Sequence, residues 1–341
     1  MPQSPLRETV TEDKWLDYLS ATGTTEEAKE AIEAYLNDDI IVNEATQPTP
    51  EPTPTEPTNP TPTPPVPTTI DMAVAGLEYA ENTIPGTEGT NYFVNSLDLY
   101  KSLAADGFKR IRLPFITERL SKIYKSQIDL SIGRAESSGL KVWLDFHDYG
   151  RSIDLQSRVD MAMAYKGVDS VEAIEIDNEP HEGNVSERDW YAHAKRITEA
   201  MQSAGWNKII GVPIYHWSSM DNFADKKLDL DPPVKGDNIR YIFHNYFNAG
   251  NTGFNHPAQP NEPADLHVQR LNYVEEWARR RGVKLAVTEF GVPATQEWID
   301  NAKPFVEALK ASDVVTHAFY WATGRGYTSQ TAYKAIHKQL F

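Results

Sequence analysis

Two glutamates in the second half of the chain stand where short apolar runs give way to polar residues. Glu179 follows Ile174-Glu175-Ile176-Asp177-Asn178, and Glu289 follows Leu285-Ala286-Val287-Thr288. Two facing carboxyl groups can hydrolyse a glycosidic bond, one giving a proton to the leaving oxygen and the other, ionised, attacking or activating water. Two negative charges held close raise the pKa of one of them, so such a pair sorts itself into acid and base. A lone glutamate at a strand end usually makes a salt bridge, but these two have company. Glu78, Arg112, His147, Asn178, Trp217, the triplet His244-Asn245-Tyr246 and Trp321 close similar apolar runs.

The spacing of these groups implies the elements that carry them. From Glu78 to Trp321 seven steps average about 35 residues. Gly107, Gly139, Gly205 and Gly282 each end an amphipathic stretch just before an apolar run, and Gly167-Val168-Asp169 fits the same place. Glycine there supplies the left-handed turn that stops a helix. Between them, Trp190, Ala194, Ile197 and Met201 form one apolar stripe, as do Trp298, Ala302, Phe305 and Leu309. Helix and strand therefore alternate, the pattern of a parallel sheet wrapped by helices. Residues 70–341 accommodate eight such units, which predicts an α/β fold of the (β/α)8 barrel type, normally about 250 residues. An open doubly wound sheet is disfavoured because no glycine-rich phosphate loop follows the first strand. In a barrel the strand C-termini share one mouth, and Glu179 and Glu289 lie three strands apart across it.

Composition limits the partners. The 341 residues carry a net charge of −16, which repels nucleic acid and anionic membrane surfaces. There is no cysteine, and no apolar run is long enough to span a bilayer. The first residues, Met1-Pro2-Gln3-Ser4-Pro5-Leu6-Arg7-Glu8, lack the apolar core of a secretory signal. Residues 1–46 form a short acidic segment, helical over 24–37, where Thr24 and Glu27 have capping-box spacing. Residues 47–69 are a Pro/Thr-rich linker: ten of the twenty residues 48–67 are proline, which predicts an extended polyproline-II spacer. The tail through residue 69 carries −10 of the net charge, so residues 70–341 carry only −6.

Residues 70–341 resemble glycoside hydrolase family 5, the retaining barrel hydrolases, and within it the endoglucanase branch. The resemblance rests on Ile111-Arg112-Leu113-Pro114-Phe115 with Glu118-Arg119-Leu120, on Leu144-Asp145-Phe146-His147-Asp148-Tyr149-Gly150-Arg151, on Asn178-Glu179-Pro180-His181 and on Thr288-Glu289-Phe290-Gly291. It implies Glu179 as general acid/base and Glu289 as the nucleophile of a retaining double displacement. Arg112 and Tyr246 would then hydrogen-bond Glu289, Asn178 would hold the sugar 2-hydroxyl, and His147 and His244 would line the cleft. Trp321 would lie under a sugar ring, with Trp217 a further substrate contact. The run Ser218-Ser219-Met220-Asp221 after Trp217 departs from the branch's pattern, and Asp148 stands where the branch leads us to expect asparagine.

The expected activity is endo-β-1,4-glucanase action on cellulose or soluble β-glucan. The same mechanism on mannan, xyloglucan or mixed-linkage glucan is an alternative, as is a non-catalytic carbohydrate-binding barrel. No cofactor is expected. For a metal, Asp145, His147 and Asp148 have suitable side chains, but strand alternation puts Asp145 and His147 on one face without a clear third ligand. A monomer tethered through the linker and acting on extracellular polysaccharide is the expected setting. The mechanism requires the two carboxyl groups to meet within about 5–5.5 Å.

Overall fold

The computed structural model describes residues 68–151, 154–250, 253, 256–325 and 330–341. The helix expected over 24–37 and the spacer 47–67 lie outside the described residues. Thr68 and Thr69, assigned to the linker on composition, already lie against the domain: the buried Thr68 hydroxyl donates to the Val315 carbonyl, and the Thr69 hydroxyl donates to Asp71.

Eight parallel strands pair in chain order and close on themselves: β1 (Ile70–Val74), β2 (Arg110–Phe115), β3 (Lys141–Phe146), β4 (Val171–Glu175), β5 (Ile209–Pro213), β6 (Ile239–Tyr246), β7 (Lys284–Gly291) and β8 (Val315–Thr323). Among the described residues the helices are α1 (Leu97–Ala105), α2 (Lys122–Ser137), α3 (Leu155–Ala164), α4 (Glu187–Ser203), α5 (Met220–Asp225), α6 (Ala264–Arg281), α7 (Gln296–Ala311) and α8 (Gln330–Leu340). The chain folds as a (β/α)8 barrel. The two apolar stripes are buried in α4 and α7, which must cover the outer face of the sheet. Ser121, Asp154, Ser186 and Ser219 start α2, α3, α4 and α5 by accepting from backbone N–H groups that would otherwise lack partners.

Two local expectations are corrected. The apolar run that Glu78 closes, Ala75-Gly76-Leu77, reads as the first strand, but that strand is β1, where Met72 pairs with Ile111. Residues 75–77 are buried loop: Gly76 takes a φ of +149° and a Cβ there would lie 2.6 Å from the Phe93 carbonyl oxygen, so burial mimicked a strand. Of the five expected glycine stops, Gly107, Gly139, Gly205 and Gly282 have φ between 67° and 101°. Gly167 is not left-handed; after α3 the chain turns through successive bonds from Lys166 N to Met163 O and from Val168 N to Tyr165 O.

The barrel interior is layered, and the layers decide where chemistry can occur. Near the strand starts Arg110 pairs with Glu172, and His317 Nε2 lies 3.9 Å from the same carboxylate. Above them Trp143, Ala173, Ile242, Ala286 and Phe319 form a separate apolar cluster, with Trp143 and Phe319 edge to face. Above that plug, towards the strand ends, the interior becomes polar: Arg112, Asp145, Glu175 and Thr288 are all fully buried. Polar groups in such a place must satisfy one another.

Two glycines test how tightly the strand ends are packed. Gly282 stops α6 with open space where a Cβ would go, whereas a Cβ on Gly324, just past β8, would fall 2.1 Å from the Ala75 carbonyl oxygen. Gly282→Ala is expected to cost about 1–2 kcal/mol, the left-handed backbone penalty alone. Gly324→Ala is expected to lose distinctly more, because backbone must move. Urea midpoints measure both, and equal losses would contradict the packing.

Candidate active site

Arg112, in the middle of β2, is fully buried and reaches up through the polar layer. Its Nε donates to Glu175 Oε2 at 3.0 Å and its Nη2 to Glu175 Oε1 at 3.1 Å, a bidentate fork. Nη2 also donates to Asn178 Oδ1 at 2.7 Å and lies 3.0 Å from Asp145 Oδ2, while Nη1 donates to Glu289 Oε1 at 2.6 Å. One guanidinium thus organises side chains from β3, β4, the loop after β4 and β7.

The two glutamates flanking this centre face each other. One oxygen from each of Glu179 and Glu289 and one ring nitrogen of His244 all lie within 4.8 Å of one another. Glu289 is 4% exposed, its second oxygen accepting from Tyr246 Oη at 2.6 Å. Glu179 follows β4 with a φ of +48°, an uncommon backbone for glutamate, and its side chain keeps 16% exposure. His244 Nδ1 is 2.6 Å from Glu179 Oε1 and 3.7 Å from Glu289 Oε2.

Burial governs the protonation of this group. It pushes the carboxyl of Glu179 up to about 8, with Arg112 opposing, and raises Glu175 to about 8 against the same Arg112. Asp145 is also raised by burial, opposed first by Arg112. Burial lowers His147 and His244 to about 3, so both rings are neutral at physiological pH. One cation therefore faces several carboxyl groups, and protons must remain on some of them.

Aromatic rings build the walls. His147 is held by Asp145 Oδ2 at Nδ1 (2.6 Å) and by Tyr149 Oη at Nε2 (3.0 Å), and it stacks on Trp321 at 5.6 Å with the planes 8° apart. The Arg112 guanidinium lies 5.7 Å from the Trp321 ring centre. Trp217 is 42% exposed and stacks on His181, centroids 3.4 Å apart. His216, Trp217 and Ser218 all have positive φ, and Trp217 N donates to Pro180 O, which fixes this turn against the Glu179 loop. A cleft of about 640 Å³ joins Glu179, Tyr149, His181 and Trp217.

The structure brings Arg112, His147, Asn178, Glu179, His244, Tyr246, Glu289 and Trp321 together through direct contacts, while Trp217 stands further along the cleft against His181. The departure after Trp217 has a local cause: Ser219 is the N-cap of α5, accepting from Asn222 N. Asp148 belongs to a separate latch. It accepts from the backbone N–H and hydroxyl of Thr117 and pairs with Arg158, which also pairs with Asp177, joining the loops after β3 and β4. Sequence reasoning missed roles for Glu175, Thr288, Tyr149 and His181. The last three stood inside quoted motifs, and Glu175 is the second glutamate of β4 after Glu172, level with Asp145 in the sheet register. The three groups nearest one another could in principle hold a cation, but Arg112, Tyr246 and His244 already occupy oxygens of Glu289 and Glu179, and the nearby guanidinium repels a metal ion.

Residues 72–325 match the family described as Cellulase (glycosyl hydrolase family 5). Endo-beta-1,4-glucanase B of Emericella nidulans is 25% identical over 274 residues, covering 73% of this chain and 80% of that protein. Endoglucanase gh5-1 of Neurospora crassa is 24% identical over 73% of this chain and 68% of its own length. Among solved structures, an endo-beta-1,4-glucanase from Xanthomonas axonopodis pv. citri superimposes with a TM-score of 0.70 at 17% identity, covering 80% of this chain and all of that one. The Pseudomonas stutzeri endoglucanase Cel5A gives 0.67 at 24% identity over 80% of this chain and 93% of that one.

A titration of stability tests the burial argument. Glu78, just beyond the Ala75–Leu77 loop, accepts from Gly76 N at 2.7 Å, and burial raises its carboxyl from 4.5 to about 8. The folded chain keeps this proton where the unfolded chain has released it, so this group's stability contribution falls as pH rises from about 4.5 to about 8. Glu78→Gln is expected to lose less stability than the parent between pH 5 and pH 8. An unchanged difference between denaturation midpoints would contradict it.

Proposed function

The chain belongs to glycosyl hydrolase family 5, and from that premise we propose that it is an endo-β-1,4-glucanase acting by double displacement with net retention. The observation that carries this reading is the approach of Glu179 and Glu289 oxygens to within 4.8 Å. Retaining pairs stand about 5–5.5 Å apart, whereas inverting pairs stand about 6.5–9.5 Å apart to seat a water between base and sugar.

In the first step Glu179 gives its proton to the glycosidic oxygen while Glu289 attacks the anomeric carbon; that carbon's bond to the leaving oxygen breaks as its bond to Glu289 forms. In the second, water passes a proton to Glu179 and its oxygen displaces Glu289, restoring both groups. The burial that raises Glu179 to about 8 supplies an acid still protonated at neutral pH. The donors Arg112 and Tyr246 aim Glu289 and balance its charge. Asn178, whose Oδ1 is committed to Arg112, has its amide nitrogen 3.4 Å from His147 Nε2, a position suited to holding a sugar 2-hydroxyl. Trp321 would lie under the ring at the cleavage point, and Trp217 with His181 would support a ring further along the cleft.

A β-1,4-glucan is the substrate that the relatives favour: they are named endoglucanases, and the related structure of XacCel5A holds cellopentaose. An open cleft suits internal cleavage of a long chain. Such a substrate is too large to enter a cell, so we place the action outside it, with the barrel as a monomer and residues 1–46 and 47–67 as an acidic segment and a spacer.

Glu179→Gln is expected to lose about 10²–10⁴-fold in kcat/KM on cellopentaose and much less on dinitrophenyl cellobioside, whose leaving group needs no proton. Glu289→Gln is expected to lose both substrates. The parent rate is expected to fall as pH rises through about 8, where Glu179 loses its proton. Full activity in either variant, with unchanged thermal melting, would overturn the assignment. Trp217→Ala is expected to raise KM for cellopentaose by roughly threefold to tenfold with kcat little changed, the pattern of lost uniform binding. An unaltered KM would remove Trp217 from the substrate path.

A further inference from the structure

The residue before Glu289 closes a chain of hydrogen bonds that none of the roles above uses. Thr288, on β7, is fully buried, and its hydroxyl has two neighbours. It donates to Glu175 Oε1 at 3.1 Å, and it lies 3.1 Å from His244 Nε2. A hydroxyl has one proton. With that proton spent on Glu175, its oxygen can only accept, so His244 Nε2 must carry a hydrogen. His244 is neutral, which leaves Nδ1 bare. Nδ1 is the atom 2.6 Å from Glu179 Oε1, and a bare nitrogen at that distance requires the proton to sit on the carboxyl.

Glu175 sets the direction of the chain. Its Oε1 accepts from Arg112 Nη2 as well as from Thr288, and Oε2 accepts from Arg112 Nε. A proton taken up by Glu175 therefore goes to Oε2, and Thr288 remains the donor. Glu175 Oε1 also stands 4.0 Å from His244 Nε2, which favours a hydrogen on that nitrogen.

We propose that Thr288 is a positioning residue whose hydroxyl, held by Glu175, fixes the His244 tautomer and thereby keeps the proton on Glu179. This rests on the reading of Glu179 as the general acid. The same arrangement serves the second step, because a bare Nδ1 facing the Glu179 carboxylate makes that anion a stronger base towards water. The other charged or titratable groups facing Glu179 and His244 are Arg112 from β2, Asp145 and His147 from β3 and its end, Tyr149 from the loop after it, Glu175 from β4 and Glu289 from β7. None of these bonds the Nε2 of His244 as Thr288 does.

Thr288→Val keeps the shape and removes the hydroxyl; Thr288→Ser keeps the hydroxyl. In nitrogen-15 spectra of the imidazoles, the His244 signals, assigned by their loss in His244→Asn, are expected to show a bare Nδ1 in the parent and Thr288→Ser. In Thr288→Val they are expected to move towards a protonated Nδ1, which now donates to the Glu179 carboxylate. The alkaline limb of kcat/KM on cellopentaose is expected to shift down by roughly one pH unit in Thr288→Val, with Thr288→Ser restoring it. Turnover near pH 8 is expected to drop about fivefold there, with a smaller loss on dinitrophenyl cellobioside. Parent-like tautomer and limb in a folded Thr288→Val would overturn the proposal, as would a loss that Thr288→Ser fails to restore. Failure of the acid assignment itself has a different signature: Glu179→Gln would remain active on cellopentaose, while the His244 signals would still report on Thr288.

Discussion

One guanidinium without solvent contact organises this mouth. Arg112 touches Glu175, Asp145, Glu289 and Asn178, side chains drawn from three strands and a loop. Breaking such a buried pair by deleting one partner typically costs about 3–5 kcal/mol, because the remaining charges lose their compensation. The deeper consequence is arithmetic. A single positive charge cannot balance every carboxyl in the layer, and two neutral histidines add nothing. Some of these carboxyl groups therefore keep protons, and Glu179, raised by burial to about 8 with its carboxyl against the neutral His244, is one of them.

The scaffold exists to make that imbalance tolerable. The apolar plug of Trp143, Phe319, Ile242, Ala286 and Ala173 closes the barrel beneath the polar layer, and the strands exclude water from its sides. Low local polarity strengthens each hydrogen bond within the layer and makes an unpaired charge costly. A second buried arginine, Arg158, does the mechanical work nearby, joining Asp148 and Asp177 so that the loops bearing His147 and Glu179 keep their spacing. Gly291, at the end of β7, allows the Trp321 backbone to come close: a Cβ there would lie 2.4 Å from the Trp321 carbonyl oxygen.

Much of this was legible in the sequence because a barrel repeats. Polar residues that end apolar runs at a steady interval must share one rim, which drew attention to Glu179, Glu289, His147, His244 and Trp321 without knowledge of their contacts. The glycine stops at 107, 139, 205 and 282 were readable for a similarly local reason, since each depends on one residue's backbone freedom. Gly167 and the first strand misled because burial and glycine placement each have more than one cause. Of the partners of Arg112, Glu289 was expected from the resemblance but Glu175 was not: whether the last residue of β4 faces the interior depends on register, which no single strand encodes. Nor could spacing reveal that Thr288 donates to Glu175, because that depends on which way one hydroxyl points.

The central claim is that Glu179 and Glu289 stand too close to seat a water between base and sugar. Proton NMR of the first products released from cellopentaose tests it most directly. The account predicts that the new reducing end appears first as the β-anomer and only then equilibrates. Initial appearance of the α-anomer would contradict it.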